Sequence, residues 1–461
     1  MTDAAVPAVA RARRRTEAGL VALAAAVAAG AYAIAYASSR TDMSIARLPL
    51  MLAVLAMVFA AHVVVRFVAK GADAFILPTA ALLHGLGFVL IARLENRWAD
   101  LQTIWSLVGV GAFIATLLVL ERTGDLRRWQ WTSLAAGVAL LLLPMVPGLG
   151  FTSGGARIWV SVGPVNFQPG EFAKILLAVF FAAYLAERRT LIVQSERRFL
   201  GLTLPEPRHL APIVVAWGVS VVVMVGQRDL GSSLLFFSLF VVMLWVATEK
   251  TGYLVVGLGL FMAGATAAYF MFDHVQSRVS VWLDPWSRYT TRGYQPVRAL
   301  FALGNGGTLG EGLGQGDPAI VPAAHNDFIF AAVGEELGMV GATAVLAAYM
   351  VLVGSGMRIA LRAQRDFEKL LAVGLTTLFA VQTFIIVGGV LRVVPLTGVT
   401  LPFMSYGGSS LVANYVLIAL LVRMSDSTAR SLHEVPDEAS VRERFAVWRL
   451  RRAASKAGAS A

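Results

Sequence analysis

Long apolar runs separated by short polar segments make up most of the 461 residues. A helix that crosses a membrane needs about 20 mostly apolar residues, and twelve runs approach that length. The pattern therefore predicts an all-α polytopic membrane protein with about twelve transmembrane helices. The predicted spans are 19–37, 48–68, 75–94, 101–120, 131–146, 171–186, 211–225, 230–247, 253–272, 328–354, 370–394 and 408–422.

The positions of arginine and lysine predict how these helices are oriented. Cytoplasmic loops carry an excess of basic residues, and if the N-terminal segment is cytoplasmic, every second loop is basic. An even number of spans then places both termini in the cytoplasm. The basic start could instead belong to a signal peptide, but no small-residue cleavage context follows it, so we predict an uncleaved first helix.

Composition excludes several classes of protein. The chain is 57% hydrophobic and 15% charged, whereas soluble domains are about 45–50% apolar and about 25% charged. It contains no cysteine, which excludes disulfides and thiolate chemistry. The net charge of +11 is explained largely by cytoplasmic anchoring, so nucleic acid is not predicted as a partner.

The loop at 273–326 is the longest of the three loops on the predicted outer face, and its aromatic residues predict a structured segment packed on the membrane surface. Asp284 lies in this loop, between Leu283 and Pro285. Apolar neighbours raise the pKa of a carboxyl group and make it a better base near neutral pH. The alternative, which the residues alone favour, is that the Asp-Pro pair only starts a turn.

A glycine-rich stretch at 304–316 follows Asp284 in the same loop. Such a stretch can bring backbone N–H groups close to a phosphate. Its spacing matches no phosphate-binding loop, however, and glycine-rich segments are more often simply flexible. The stretch is therefore weak support for a phosphate site.

Two predicted helices start on the outer face with charged residues in their first turn. Pro169 begins one of them, and Glu171 suits its positive N-terminal end. Glu171 and Lys174 are three residues apart, so they can form an ion pair on one helix face. Asp229 opens the second helix in the same way.

Two further segments carry polar groups on the same face. Asn326 or Asp327 is a plausible N-cap, and Glu335 lies roughly 12 Å further along that helix. An ionisable residue at such a depth marks either a functional site or a buried ion pair. The serines and glycines at 405–409 could bind an anion at the start of the last helix. Because all these groups lie on one face, we expect a shared polar cavity that opens outward.

These motifs resemble those of the SEDS family (shape, elongation, division and sporulation proteins). The chain contains, in family order, Gly-Ala-Arg-x-Trp at 155–159, Gln-Pro-x-Glu at 168–171, Gln-x-Asp-Leu-Gly at 227–231, Leu-Asp-Pro at 283–285 and Ser-Tyr-Gly-Gly-Ser at 405–409. The stretch 325–338 is also similar. Segment 398–406 and the short tail are more similar to the RodA branch of actinobacteria than to the FtsW branch.

The resemblance implies a peptidoglycan glycosyltransferase that polymerises lipid II outside the cytoplasmic membrane of a bacterium during cell elongation and shape maintenance. It also implies a class B penicillin-binding protein as partner. The family's essential aspartate maps onto Asp284, which reverses the preference for a simple turn. The expected substrate-binding residues are Arg157, Glu171, Lys174, Asp229, His325, Asp327, Glu335, Ser405 and Tyr406.

The chain departs from the family pattern in several places. Ile158, Gly170 and Arg228 replace a usual arginine, serine and proline. The family core has ten spans, so we expect an extra pair among the N-terminal helices. The predicted regions are N-terminal helices at 1–150, a catalytic core at 151–424 and a polar, basic cytoplasmic tail at 425–461.

The expected reaction inverts the donor sugar, with Asp284 as the base and undecaprenyl pyrophosphate as the leaving group. Lys174, Arg157 or a divalent cation such as Mg²⁺ or Mn²⁺ would stabilise the pyrophosphate; no cofactor is otherwise expected. One rival interpretation is a lipid II flippase or transporter, because transporters also contain buried charges and interrupted helices. Another is a scaffold without activity that recruits other wall enzymes.

Overall fold

The computed structural model describes residues 5–38, 47–153, 155–163, 165–194, 196–199, 202–205 and 207–432. Within these ranges the chain forms fourteen α-helices and five short strands. The helices are α1 Ala5–Ala37, α2 Leu48–Val68, α3 Ile76–Leu94, α4 Asn96–Val119, α5 Gln130–Leu142, α6 Gly170–Gln194, α7 Pro207–Gly226, α8 Leu230–Thr248, α9 Gly252–Met271, α10 Asp273–Leu283, α11 Tyr294–Gly306, α12 Ile329–Arg362, α13 Asp366–Val390 and α14 Gly408–Ser431.

Each of the twelve predicted spans coincides with one of these helices, and the all-α polytopic class is confirmed. Nine helices in the described ranges are long and apolar enough to cross a membrane, namely α1 to α4, α8, α9 and α12 to α14. The other three predicted spans correspond to α5, α6 and α7. Helix α5 has only 13 residues, and α6 carries charged residues near both of its ends.

Five short strands were not predicted from the sequence. β1 (Gly150–Ser153), β2 (Ala156–Val162) and β3 (Val165–Phe167) form an antiparallel sheet in the order β1-β2-β3. Val160 pairs with Gly150 on one side and with Phe167 on the other. β4 (Glu196–Phe199) and β5 (Leu202–Pro205) form a separate hairpin. The three-stranded sheet leads directly into α6 and therefore fixes where that helix begins.

The centre of the bundle is formed by α13 and α14. In their most apolar stretches 83% and 89% of the residues are buried, against 6% in α9, which lies at the periphery. The largest buried apolar cluster runs from Ala61 to Met424 and includes residues on both sides of the predicted boundary at residue 150. Helix α14 continues to Ser431, six residues past the predicted start of the tail, and residues 433–461 of that tail lie outside the described residues.

Helix α12 is interrupted at Gly338, where φ is 67° and ψ is −170°. Glycine adopts this left-handed backbone without a steric penalty. The part from Gly338 to Arg362 is about 36 Å long at about 1.5 Å per residue, enough to cross the hydrocarbon core of a bilayer. The shorter part before the kink packs against the long loop.

Candidate functional site

The start of α6 carries a buried ion pair. Lys174 Nζ lies 2.7 Å from Glu171 Oε2, and both side chains are buried. Lys174 also donates to Gln382 Oε1 at 2.7 Å, and Gln382 Nε2 donates to the Thr400 carbonyl at 2.8 Å. The predicted pairing of Glu171 with Lys174 is confirmed. The network joins α6, α13 and the segment before α14.

Asp229 is the N-cap of α8, as predicted. Its Oδ1 accepts a hydrogen bond from the Ser232 backbone N–H at 3.0 Å. The preceding residue, Arg228, has φ 61°, whereas a proline ring fixes φ near −65°. The usual proline of the family therefore could not adopt this backbone, so the substitution changes the local turn.

The motif at 155–159 is in direct contact with the motif at 227–231. The Arg157 backbone N–H donates to the Gln227 carbonyl at 3.0 Å, and Arg157 Nε donates to the Pro144 carbonyl at 3.0 Å. A small cavity lies at this junction. It is lined by Leu140, Leu141, Pro144, Ile158, Gln168, Gly170, Gln227, Asp229 and Ser232. Residues of the motifs at 155–159, 168–171 and 227–231 line this cavity, whereas none of those at 283–285 or 405–409 does. The expectation of one cavity shared by all the outer-face groups is therefore met only in part.

The segment before α14 is tied to the end of the long loop. Ser405 Oγ donates to the Asn326 carbonyl at 2.6 Å, and the Tyr406 N–H donates to the His325 carbonyl at 2.8 Å. Ser409 Oγ accepts from the Gln168 N–H at 2.9 Å, which connects this segment to the start of α6. Motifs separated by up to 241 residues in sequence therefore meet at one end of the bundle.

The predicted helix cap at Asn326 or Asp327 is wrong. Helix α12 begins at Ile329, Phe328 occupies the N-cap position, and no side chain caps it. The reason is a further turn after the loop, in which the Asn326 N–H bonds to the Ala323 carbonyl. Asp327 thus precedes the helix and its carboxylate is available for other contacts.

Arg278 connects the long loop to the segment before α14. Its Nη1 donates to the Thr397 carbonyl at 2.7 Å and to the Leu396 carbonyl at 3.2 Å. Burial raises the pKa of Asp327 to about 6, and the positive charge of Arg278 opposes that rise. Arg278 also interacts electrostatically with Asp229. We call Glu171, Lys174, Asp229, Arg278, Asp327 and Gln382 the outer polar cluster.

Asp284 follows the last residue of α10 and is exposed. Its Oδ1 accepts hydrogen bonds from the N–H groups of Trp286 at 3.1 Å and Ser287 at 3.2 Å. Hydrogen bonds from Ser287 are the main cause that lowers the pKa of Asp284. The predicted rise is therefore wrong, because Leu283 and Trp286 are themselves 66% and 52% exposed and do not cover the carboxylate. The predicted turn is present.

Arg392 holds the end of α10 in place. The Trp282 indole N–H donates to the Arg392 carbonyl at 2.9 Å, and Arg392 Nη2 donates to the Trp282 and Leu283 carbonyls at 2.8 and 3.1 Å. Arg278 precedes Asp284 by six residues, which is about 9 Å along a helix. Segment 392–397 therefore contacts α10 at two places. One is Arg278, and the other is Trp282 and Leu283, next to Asp284.

Glu335 lies against the glycine-rich stretch. Its Oε1 accepts from the Asp317 N–H at 3.1 Å, and its backbone carbonyl accepts from the Glu311 N–H at 2.9 Å. The neighbouring Glu336 forms an ion pair with Arg93. The sequence left two alternatives for Glu335, a functional site or a buried ion pair. The contacts favour a buried structural role at the kink of α12.

The glycine-rich stretch is closely packed rather than flexible. A Cβ at Gly310 would clash with the Glu336 carbonyl, and a Cβ at Gly338 would clash with the backbone of Gly310. The N–H of Gly312 also bonds to the Glu336 carbonyl at 3.0 Å. Because these backbone groups bind α12, the structure does not support a phosphate site here.

His325 and Tyr406 both contact Trp98, which was not singled out from the sequence. The ring centroid of Trp98 lies 4.8 Å from that of His325, in a stacked arrangement, and 4.6 Å from that of Tyr406. Burial lowers the pKa of His325. The predicted pair thus forms an aromatic cluster at the start of α4.

The described residues contain no group of three or more histidine, aspartate or glutamate side chains that could hold a metal ion. The carboxylates of the outer polar cluster are instead placed with Lys174 and Arg278. This donor set does not fit a divalent cation held by protein side chains alone.

These features define a polytopic membrane protein with a buried charged cluster and an exposed aspartate at one end of its helices. The family model for the cell cycle proteins FtsW, RodA and SpoVE matches residues 50–430, so the chain belongs to this family. The match extends beyond the motifs, which lie at 155–409, and includes nearly all of α2 and the whole of α3 to α5. Helix α1 lies outside it.

Curated relatives agree with this assignment. The chain is 46% identical to the peptidoglycan glycosyltransferase RodA of Mycobacterium tuberculosis over 396 residues, 84% of each chain. It is 44% identical to the RodA of Mycobacterium leprae, over 82% of this chain and 83% of that one. A probable peptidoglycan glycosyltransferase FtsW from Geobacter metallireducens is 34% identical over 70% of this chain and 84% of that one. The similarity to an actinobacterial RodA is confirmed.

Two solved structures have the same fold. A chain of a peptidoglycan synthase complex, described as coordinating polymerisation and crosslinking, aligns with a TM-score of 0.66 and 26% identity, over 77% of this chain and 98% of that one. The RodA of Thermus thermophilus aligns with a TM-score of 0.56 and 23% identity, over 77% and 96% of the two chains. The second similarity concerns the fold alone.

Proposed function

We propose that this protein is a peptidoglycan glycosyltransferase that polymerises lipid II into glycan strands at the outer face of the bacterial cytoplasmic membrane, during cell elongation. The observation that carries the proposal is Asp284, an exposed carboxylate held by backbone N–H groups beside the outer polar cluster. The 46% identity between this chain and a mycobacterial peptidoglycan glycosyltransferase RodA supports the same activity.

Asp284 acts as the general base. Its carboxylate accepts the proton of the acceptor sugar's 4-hydroxyl while that oxygen attacks C1 of the donor. The bond between C1 and the pyrophosphate oxygen breaks, and undecaprenyl pyrophosphate leaves with inversion at C1. The lowered pKa leaves Asp284 ionised at neutral pH and able to accept the proton, but it makes the carboxylate a weaker base than the raised pKa expected from the sequence. General bases contribute about 10²–10⁴-fold. A single carboxylate at this position does not support the paired-carboxylate geometry of glycosidases.

The leaving pyrophosphate requires positive charge. Lys174 is buried and bound to Glu171 and Gln382, so we assign it to the architecture of the site. Arg157 and Arg392 are only partly buried, and they supply the positive charge at this face. Since the described residues hold no group of three or more metal-binding side chains, a divalent cation would be held mainly by the pyrophosphate itself.

The orientation follows from the basic residues. Both termini lie in the cytoplasm, and the Asp284 loop lies outside, where lipid II headgroups meet. A class B penicillin-binding protein is the partner that crosslinks the product. The solved relative within a peptidoglycan synthase complex supports such a partnership.

The test uses the purified full chain with its partner and labelled lipid II in detergent, where no membrane remains to flip across. Wild type forms glycan polymer and Asp284→Ala does not. Arg288→Ala, an exposed change in the same loop, serves as the matched control and forms polymer. Absence of polymer from the wild type would favour the flippase or the scaffold, and undiminished polymer with Asp284→Ala would refute the role of this residue.

A further inference from the structure

A compact turn follows Asp284 in the long loop and brings α11 next to it. The Gly293 N–H donates to the Arg288 carbonyl at 2.9 Å and closes the turn. Gly293 is packed so closely against the Pro285 carbonyl that a Cβ there would clash with it. Helix α11 begins at the next residue. It therefore starts directly against the turn that carries Asp284.

Two pairs of aromatic rings join this turn to α11. The ring centroids of Tyr289 and Tyr294 are 5.5 Å apart, and those of Trp286 and Phe301 are also 5.5 Å apart. The rings of the second pair are exposed, and those of the first pair are partly buried. Tyr294 and Phe301 are seven residues apart, so they lie on one face of α11 and about 10 Å apart along its axis. The rings thus form a row that begins two residues after Asp284.

An arginine belongs to the same row. The guanidinium carbon of Arg298 lies 5.1 Å from the ring centroid of Tyr294 and 5.9 Å from that of Tyr289. A guanidinium group that stacks on aromatic rings still presents N–H donors at its edge. Ring faces beside such donors suit a ligand that has both apolar faces and acidic groups. We call the following residues the aromatic row: Trp286, Tyr289, Tyr294, Arg298 and Phe301.

We propose that the aromatic row binds the sugars of the growing glycan strand, an assignment that rests on the proposed function. Sugar rings present faces of C–H groups that pack on aromatic rings. Muramic acid units carry carboxyl groups, directly or on the attached peptide, and these suit the donors of Arg298. Because the reacting sugar must reach Asp284, the sugars next to it in the strand lie on the adjoining surface. A row of about 10 Å accommodates two sugar rings.

The proposed site has a consequence for the length of the product. A strand held by the aromatic row stays next to Asp284 between successive additions. The first coupling of two lipid II molecules involves the shortest possible strand and depends least on the row. Loss of the row therefore shortens the strands more than it slows the first coupling.

Binding is measured with a saccharide that cannot react. The full chain in detergent is titrated with a tetrasaccharide of alternating N-acetylglucosamine and N-acetylmuramic acid, which has neither lipid nor pyrophosphate, and calorimetry gives the dissociation constant. Y289L/Y294L weakens binding roughly 25-fold, because each aromatic contact contributes about fivefold. Y289F/Y294F preserves the rings and keeps most of the affinity, which separates loss of the rings from misfolding. Arg288→Ala, an exposed change in the same turn, is the matched control and keeps the affinity.

A second saccharide tests Arg298 separately from the rings. Chitotetraose contains only N-acetylglucosamine and has no carboxyl group, so the wild type binds it more weakly than the muramic acid tetrasaccharide. R298Q removes this difference, and R298K keeps part of it because the positive charge remains. An equal loss of affinity for both saccharides in R298Q would contradict the role of Arg298 in binding carboxyl groups.

The same variants are compared in the polymerisation assay with labelled lipid II. Y289L/Y294L lowers the mean strand length more than the initial rate of lipid II dimer formation. An equal loss of both would mean that the rings only stabilise the loop, and this would refute the proposal. So would equal affinity of the wild type and Y289L/Y294L for the tetrasaccharide, or no binding by the wild type. A wild type that binds the tetrasaccharide but forms no polymer would instead refute the proposed function.

Discussion

Asp284 and the outer polar cluster lie at the same end of the bundle, but they are built differently. The hydrogen bonds to the Asp284 carboxylate come from residues two and three positions later in the sequence. The bond from Lys174 to Gln382 instead joins residues 208 positions apart. A group that is exposed and locally bound can be replaced with little effect on folding, whereas a group of the buried cluster connects several helices.

The contrast separates Asp284, the residue proposed to carry the chemistry, from the residues that hold the site in place. Asp284 is free to meet a substrate because its neighbours leave it exposed, and its position depends on α10. Helix α10 is in turn held by Arg278 and Arg392 through backbone carbonyls of residues 282–283 and 396–397. In the proposed mechanism, the cluster would therefore act on the reaction through the position of α10.

The largest effect on stability is expected from Lys174→Met. Removing one partner of a buried ion pair leaves an uncompensated charge and costs about 3–5 kcal/mol. We expect the free energy of unfolding in detergent, followed by tryptophan fluorescence, to fall by about this amount. Asp284→Asn, measured in parallel, should lose far less stability, because this carboxylate is exposed and is bound only by neighbouring residues.

The double variant Glu171→Gln/Lys174→Met is the matched control for that experiment. It removes both charges and should recover most of the lost stability, because the desolvation penalty of the unpaired carboxylate is gone. Equal stability of Lys174→Met and the wild type would contradict the distinction between the two regions.

A smaller effect is expected from Arg278→Lys. The ammonium group cannot reproduce the two bonds to carbonyls and the interactions with Asp229 and Asp327. Hydrogen bonds to charged groups contribute about 1.5–3 kcal/mol each, so we expect a loss in that range. Hydrogen exchange should also become faster at the N–H groups of Trp286 and Ser287, since α10 carries Asp284.

Arg97→Lys, an exposed position on α4, provides the comparison for this measurement. If Arg278→Lys lowered stability without any change in exchange around Asp284, Arg278 would be structural only. The proposed link between the cluster and the catalytic loop would then be wrong.

Long apolar runs predicted twelve of the helices, because a membrane span must be almost uniformly apolar. Local spacing also predicted the pair of Glu171 with Lys174 and the cap at Asp229, since both depend on residues three positions apart. The family resemblance, and not the pattern of residues, singled out Asp284.

Contacts over long sequence distances were not predictable from one chain. Gln382 was not singled out from the sequence, where its one signal is that it interrupts an apolar run. Nothing local identified Lys174 as the partner. Likewise, the apolar residues beside Asp284 suggested burial, but the turn directs Leu283 and Trp286 into exposed positions.

The smallest effect concerns the pH dependence of stability and has opposite signs in the two regions. The pKa of Asp327 is raised to about 6, against about 3.9 in the unfolded chain. The folded state then binds more protons between these values, so Asp327 makes the fold less stable as pH rises from about 4 to 6. The melting temperature of Asp327→Asn, relative to that of the wild type, should therefore increase between about pH 4 and about pH 6. Above about pH 6 the difference should stay constant.

Asp284→Asn should show the reverse. Its lowered pKa means that the ionised carboxylate favours the folded state, so this variant falls slightly behind the wild type as pH rises through about 4. Melting temperatures of the three proteins in one detergent, measured from about pH 2 to about pH 8, check both signs, because the contribution of Asp284 changes below about pH 4. Parallel curves for the two variants would mean that the carboxylates have similar surroundings, which would remove the distinction between an exposed reactive group and a buried cluster.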